Sequence, residues 1–288
     1  MHAALEAATG LKFRTVPTSV AAGGGFAGCQ RWESDAGSVF VKVAPIAREA
    51  ALEAEAEGLR ELAAADAVRV PAVLGFGTAG GQAFLALEWI EFGAARSSTE
   101  VLLGERLARL HRATAARYGW HRDNTIGATP QHNEWGTDWV EFFAKQRLGF
   151  QLELAGRSGH RGGWLEQGRE LCERLPAFFA GHAPQPSLLH GDLWGGNWAA
   201  DVSGAPVIFD PATYFGDREA DLAMTHLFGG FGREFYAAYQ AAWPLDHGAN
   251  ARRDLYNLYH VLNHLNLFGG GYRVQAERMI ERLLAEVH

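Results

Sequence analysis

The 288-residue chain has only two cysteines, Cys29 and Cys172, far apart and in no CxxC pair. They build neither a disulfide framework nor a thiolate zinc site, and such a count fits a reducing compartment. A basic surplus is missing too, since 26 Lys and Arg face 33 Asp and Glu, a formal balance of −7. A nucleic-acid binder needs a basic face to displace counterions, so nucleic acid is not an expected partner. The N-terminus lacks a basic start followed by an apolar run, which argues against a secretory signal. No uncharged apolar stretch approaches the length of a membrane span. Internal repeats and low-complexity segments are also lacking. His260 and His264 stand at i and i+4 without the glutamate of HExxH, and His121 and His132 lack a third ligand at fixed spacing, so zinc is not expected. The expected setting is cytoplasmic, away from membranes, as a monomer or homodimer.

What is present suffices for two modest domains, with 48% hydrophobic and 20% charged residues. The pattern changes character near residue 90. Before it, short runs at 13–16, 29–33, 39–43, 70–73 and 84–90 predict strands, with a glycine run at 23–25 and a turn at 35–38 between them. Helical spacing predicts a short helix over 3–9 and one main helix over 48–65. After residue 90, helices are expected over 100–114, 138–153, 164–180, 222–227, 234–242, 252–268 and 274–287. A loop-and-strand region over 188–217 interrupts them. The expected fold is therefore α+β and two-lobed. A small antiparallel N-terminal lobe with one main helix spans 1–90, and a larger, mainly helical lobe spans 91–288.

The strongest chemical signal is the string Leu188 to Asn197, which contains H-x-D-x-x-x-x-N over His190, Asp192 and Asn197. That is the spacing of a kinase catalytic loop. The aspartate accepts the proton of an attacking hydroxyl. The asparagine five positions on turns its amide oxygen to a magnesium ion on the phosphates. A second, anionic magnesium ligand should follow on a neighbouring strand, and Asp210 ends the apolar run Val207-Ile208-Phe209. Hard Mg²⁺ takes oxygen ligands of this kind.

The N-terminal half supplies the expected nucleotide site. Gly23, Gly25 and Gly28 fit G-x-G-x-x-G. A dinucleotide-binding loop would lead straight into a helix, whereas here strands follow, which suits backbone amides covering ATP phosphates. Lys42 is a charge inside the apolar strand 39–43, a place where lysine seldom lacks a partner. Glu55 is the expected partner, because it precedes Leu59 and Leu62 at i+4 and i+7 and so faces inward. Glu88 and Ile90, in the stretch 87–90 that should connect the lobes, are expected to offer backbone groups to the adenine edge. Trp194 follows the base by two positions and can lay its ring on a sugar face. Asp217 is a candidate for the acceptor, or else for capping the helix around Leu222, and Asp221 for bracing the loop at His190.

With these residues in place, the chain resembles the fructosamine kinase (ketosamine-3-kinase) family, within the small-molecule kinases of aminoglycoside phosphotransferase fold. The strings that carry the resemblance are His190-Gly191-Asp192-Leu193-Trp194-Gly195-Gly196-Asn197, Asp210-Pro211-Ala212 and the run Tyr214 to Met224. Asp123-Asn124-Thr125-Ile126-Gly127 and Trp139-Val140-Glu141-Phe142-Phe143 with Arg147-Leu148 add to them. It covers essentially the whole chain and implies ATP and Mg²⁺ as cofactors. The implied reaction is phosphorylation of the 3-hydroxyl of a ketosamine, either a small glycated amine or a glycated protein, as a step of deglycation. The segment 121–139 then reads as a loop walling the acceptor site. The glycine loop departs from the family pattern, with Phe26 where a hydroxyl or thiol usually follows the glycines. Gly191 in place of the protein-kinase arginine argues against a phosphorylation-switched protein kinase. Two alternatives share the motifs: a kinase of the same fold acting on an aminoglycoside, choline or a methylthio-sugar, and a catalytically silent ATP-binding module.

Overall fold

The computed structural model describes the chain except residues 15–16, 21–27 and 288. In chain order the first elements are α1 (His2–Thr9), β1 (Thr18–Val20), β2 (Gly28–Ser34), β3 (Gly37–Pro45), α2 (Glu49–Ala64), β4 (Val73–Ala79), β5 (Gln82–Glu88), β6 (Phe92–Gly93) and α3 (Ser97–Leu110). There follow β7 (Asn124–Ile126), β8 (Thr129–Gln131), α4 (Trp139–Phe143), α5 (Phe150–Arg157), α6 (Trp164–Arg174), β9 (Ser187–Leu189), β10 (Trp198–Asp201), β11 (Pro206–Ile208) and β12 (Tyr214–Gly216). The chain closes with α7 (Glu219–Leu227), α8 (Arg233–Ala242), α9 (Ala249–Phe268) and α10 (Tyr272–Glu286).

Two compact units result. The first gathers Met1–Leu110, Gly196–Thr213 and Gly232–Ala242, and the second His111–Gly195, Tyr214–Phe231 and Trp243–His288.

The first unit is built on an antiparallel sheet of order β1-β2-β3-β5-β4. Alternation in β3 sends Val39, Val41 and Val43 to a core shared with Leu5, Trp32 and Phe84. Lys42 faces the other way and pairs in register with Cys29 on β2 and Leu85 on β5. A smaller sheet, β11-β10-β6, belongs to the same unit. Arg69 ties the two sheets: its carbonyl accepts from the Ile208 amide, and its guanidinium reaches Glu88 and Asp201, both at 2.6 Å.

The second unit is mainly helical. Helix α9 packs against α5, α7 and α10, while β9 pairs with β12 and β7 with β8 as two short antiparallel ribbons. The long buried stripe of α9 explains its central place, since Leu255, Tyr256, Leu258, Tyr259, Val261 and Leu262 are all buried.

Several elements differ from the sequence expectation. The strand expected over 70–73 starts at Val73 and runs on to Ala79, because Pro71 has no amide to donate and the residue before it is steered to an irregular path. The single helix expected over 138–153 is interrupted by a π-helical turn at Ala144–Gly149. The helix expected over 164–180 ends at Arg174, where Pro176 enters a 3₁₀ turn over Leu175–Phe179. The segment 121–139, expected as a loop, holds the hairpin β7–β8. The strand expected over 13–16 is reduced, in its described part, to a bridge between Phe13 and Ser34.

Candidate active site

The first unit holds a buried cluster of charges. Lys42 is 7% exposed, and its Nζ lies 2.6 Å from Glu55 Oε1 and 2.7 Å from Asp210 Oδ1. Helix α2 delivers Glu55 because Leu52, Leu59 and Leu62 anchor that face in the core. Burial pulls Lys42 toward its neutral form, but the Glu55 and Asp210 carboxylates outweigh it and hold the ammonium protonated, with its pKa raised. Glu55 is pushed up by burial and by the Asp210 charge, against the pull of Lys42.

Asp210 has φ 58°, in the left-handed region that non-glycine residues rarely occupy. Such backbone strain collects at functional positions. The Asn197 amide nitrogen lies 3.5 Å from the Asp210 carbonyl, so the asparagine turns its nitrogen toward that strand end and its oxygen the other way. A carboxylate and an amide oxygen make a hard-oxygen donor set, which fits Mg²⁺ and does not suit a soft metal.

Gly28 opens β2, whereas Gly23, Gly25 and Phe26 lie outside the described residues. Glu88 ends β5. Its amide donates to the Ala72 carbonyl at 2.8 Å, and its carboxylate is held by Arg69 and by the Ala72 amide at 3.2 Å. Ile90 follows in irregular backbone. Cys29, on the strand beside Lys42, has its thiol pKa pushed up by burial.

The second unit holds the loop that carries Asp192. Asp221, in the first turn of α7, accepts the His190 amide at 2.7 Å, the Gly191 amide at 2.8 Å and His111 Nε2 at 3.2 Å. Burial raises the pKa of this carboxyl, but His111, His190 and the loop amides overcome it and hold it below the usual range. Gly191 has φ 83°, a conformation that a side chain would strain, and this accounts for glycine before the aspartate. Asp192 itself is half-buried, with its amide directed to His190 Nδ1 at 3.3 Å. Trp194 follows, its amide donating to the Asp192 carbonyl at 3.2 Å and its ring 6.3 Å from Phe228.

Asp217 is 1% exposed, and its carboxylate is turned inward. It accepts the Glu219 amide at 3.0 Å, the Tyr256 hydroxyl at 2.6 Å and His182 Nε2 at 2.9 Å. The first of these ties Asp217 to the leading amide of α7, whose N-cap position is Arg218. His182, Asp217 and Glu219 bring ligand-type atoms within 4.8 Å of one another. The cations that answer these carboxylates are His182 and Arg252, the latter gripping Glu219 at 2.7 and 2.9 Å, so the cluster is an ion network.

Sequence reasoning missed this network and the polar web around Arg147. The buried histidine and arginine that hold them have no spacing signal, since their partners come from distant segments.

Comparison with known proteins identifies the family. The family model "Fructosamine kinase" matches residues 1–286. A probable ketoamine kinase of Synechocystis sp. is 47% identical over 246 residues, covering 85% of this chain and 82% of its own. A chloroplastic protein-ribulosamine 3-kinase of Oryza sativa subsp. indica is 44% identical over 265 residues, covering 91% and 77%. The crystal structure of a putative fructosamine-3-kinase from Haemophilus somnus superimposes with a TM-score of 0.90 at 29% identity, covering 98% of this chain and 96% of the other. Aminoglycoside phosphotransferases share the fold at much lower identity, which speaks for the fold alone. The α+β expectation, an antiparallel sheet followed by mainly helical structure, therefore holds. The chain belongs to the fructosamine kinase family.

Proposed function

We propose that this protein transfers the γ-phosphoryl group of ATP to the 3-hydroxyl of a ketosamine, a sugar joined to an amine by glycation, and so acts in deglycation. The observation that carries the reaction type is Lys42 held between Glu55 and Asp210, at 2.6 and 2.7 Å. The substrate class rests on the family and on relatives named ketoamine kinase and ribulosamine 3-kinase.

In this reading Asp192 accepts the proton of the 3-hydroxyl as its oxygen bonds to the γ-phosphorus. The bond from that phosphorus to the β–γ bridging oxygen breaks, and ADP leaves with the electron pair. Lys42 neutralises phosphate charge, and Glu55 keeps its ammonium aimed. The glycine loop of Gly23, Gly25 and Gly28 covers the phosphates, and the backbone at Glu88 and Ile90 meets the adenine. Asn197 and Asp210 would hold Mg²⁺, which screens the charge of the phosphates when bound. Trp194 supplies a flat face for the sugar. Asp217 acts at one remove, by holding the leading amide of α7 and so steadying Asp221 under the loop. The nucleotide end is assigned to residues 1–90 with Asn197 and Asp210, and the acceptor end to the rest of 91–288. A cytoplasmic setting accords with the acidic, cysteine-poor chain, whose described residues include no helix long and apolar enough to cross a membrane.

A coupled ADP-release assay with ATP and Mg²⁺ tests the proposal, comparing a ribulosamine, a fructosamine, kanamycin and choline, with Asp192→Ala as control. Ketosamine-dependent turnover that the substitution abolishes is the expected result, and it ranks the sugars. Turnover with kanamycin or choline alone would overturn the substrate, and near-normal turnover in the Asp192 variant would overturn the mechanism.

A further inference from the structure

His182 stands just past the 3₁₀ turn Leu175–Phe179, with its amide on the Phe179 carbonyl at 2.9 Å. Its side chain is largely buried, at 14% exposure, and both ring nitrogens meet carboxylates. Nε2 lies 2.9 Å from Asp217 Oδ2, and Nδ1 lies 2.7 Å from Asp246 Oδ2. An ionised carboxylate only accepts, so each nitrogen must carry a hydrogen, and the ring is an imidazolium.

The groups that face the ring come from three places. Asp217 and Glu219 stand at the head of α7, with Glu219 Oε1 3.9 Å from Nε2. Asp246 lies in the loop before α9 and is the exposed partner. Arg252 and Tyr256 come from α9: Arg252 grips Glu219 and binds Asp246, and the Tyr256 hydroxyl donates to Asp217 at 2.6 Å. The buried carboxylates Asp217 and Glu219 are thus answered by His182 and Arg252, and the charges balance only while His182 is protonated. Burial favours the neutral ring, but Asp217 and Glu219 outweigh it and raise the pKa.

This balance sits at the footing of the loop that carries Asp192. Asp217 Oδ1 takes the leading amide of α7, that of Glu219, at 3.0 Å. The same turn carries Asp221, whose carboxylate takes the His190 and Gly191 amides at 2.7 and 2.8 Å, and Asp192 is the next residue. Strand β12 runs directly into Asp217 and β9 directly into His190, and the two pair from Tyr214 with Leu189 to Gly216 with Ser187. Every link is a hydrogen bond or adjoining backbone, and all lie in the second unit. A neutral ring donates to only one of its two carboxylates and turns a lone pair on the other. Asp217 and Glu219 then share Arg252 alone, and their repulsion falls on the turn that carries Asp221.

We propose that His182 is a positioning residue for Asp192: as an imidazolium it clasps Asp217 and Asp246, and so holds the first turn of α7, with Asp221, under the loop that carries the base. The clasp is complete below pH 6.5, the ordinary histidine value, and opens as pH rises through the raised one. The kinetic consequence rests on the ketosamine reading above, with Asp192 as its base.

The test is kcat against pH on the full chain, from below pH 6.5 into the alkaline range, for the wild type, His182→Gln and Asp246→Asn. Circular dichroism verifies folding at each pH. The wild type should lose turnover on an alkaline limb while still folded. His182→Gln, which cannot carry the charge, should lose about tenfold in kcat below that limb, the scale of one charge-assisted hydrogen bond, with the KM for ATP within about twofold. Its alkaline limb should vanish. Asp246→Asn removes a carboxylate that favours the imidazolium, so its limb should move to lower pH. A merely structural histidine would change the folded fraction and leave the profile's shape alone. An alkaline limb kept by His182→Gln overturns the proposal, as does one that Asp246→Asn leaves unmoved. Should His182→Gln fail to fold, Asp246→Asn decides alone. A wild type inert toward every ketosamine defeats the earlier reading instead. The clasp is then read from hydrogen exchange of the His190 and Gly191 amides at one fixed pH, where His182→Gln should lower protection about tenfold and equal protection overturns the proposal.

Discussion

Lys42 in the first unit and Arg147 in the second are both cations withdrawn from water, and the protein answers them in opposite ways. Lys42 meets two carboxylates, Glu55 and Asp210, and so carries a local excess of negative charge around it. Arg147 meets carbonyl and amide oxygens and aromatic faces, which accept its hydrogen bonds without cancelling its charge. A lysine is a compact point charge on a flexible stem, suited to meeting phosphates. An arginine is a rigid fork of donors, suited to fixing the orientation of what it touches. The two buried charges therefore differ in kind: in the proposed reading the first meets the phosphates of a ligand, while the second orients the groups it touches.

The largest expected effect breaks the first of them. Lys42→Met leaves the Glu55 and Asp210 carboxylates facing each other without the ammonium between. Turnover should fall by about two to three orders of magnitude, the range for removing a preorganised charge from a transition state. Folding stability should drop by about 3 kcal/mol, the cost of breaking a buried pair. Kinetics and urea titration check both, and a variant with near-normal turnover would remove Lys42 from the phosphate site.

Arg252 offers an intermediate case, because it is a buried fork set on carboxylates. It grips Glu219 at 2.7 and 2.9 Å and also binds Asp246. Burial lowers its pKa, but the Glu219 and Asp246 contacts prevail and raise it. Arg252→Met would strand the buried Glu219 and should cost about 3–5 kcal/mol in stability, measured by denaturant unfolding. ATP binding should stay near normal in the folded fraction, because Glu219 and Asp246 both belong to the second unit, and Lys42, Asn197 and Asp210, proposed to meet the nucleotide, belong to the first.

These contrasts also show what the sequence can reveal. Short-range rules single out Lys42, Glu55, Asp192, Asn197 and Asp210 (a charge in an apolar strand, a helical i+4 and i+7 face, a fixed loop spacing), and the expected pairing of Lys42 with Glu55 is present. Arg147 and His182 were not legible, because their partners come from segments remote in sequence, and nothing local distinguishes a buried arginine from an exposed one. Strands β2, β3 and β5 of the main sheet were readable from short apolar runs bounded by turn residues, whereas β1 and most of β4 were not. The π-helical turn at 144–149 was hidden, since a one-residue change of helical phase leaves the apolar pattern nearly intact, and the hairpin β7–β8 is too short to show a period.

Two histidines of the second unit extend the comparison to pH. His182 donates to Asp217 at 2.9 Å and Asp246 at 2.7 Å, with Glu219 and Arg252 beside it. Burial lowers its pKa, but the carboxylates outweigh burial and raise it above the ordinary 6.5. Its contribution to stability is thus complete below pH 6.5 and lost as pH rises through the raised value. His260 is the reverse: burial foremost, helped by His264, pushes it down to about 3. The unfolded chain binds that proton first, so stability falls as pH drops from 6.5 toward 3. Unfolding free energy against pH should decline on both sides. His182→Gln should flatten only the alkaline limb, and a flattened acid limb would refute the assignment.

The smallest expected effect is also the sharpest for the comparison. If Arg147 imposes geometry and contributes little to folding, Arg147→Met should change stability by no more than about 1 kcal/mol in either direction, against about 3 kcal/mol for Lys42→Met. The thioether stem fits among Phe142, Tyr214 and Tyr259 without a charge to desolvate, and this gain offsets the missing hydrogen bonds to His132 and Asn133. Side-by-side urea titrations of the two variants measure the difference directly. A loss in Arg147→Met as large as that in Lys42→Met would mean that the guanidinium is a structural keystone whose carbonyl bonds hold the hairpin in place. The distinction between a charge proposed to meet phosphates and a charge that orients would then reduce to two buried cations doing the same mechanical task.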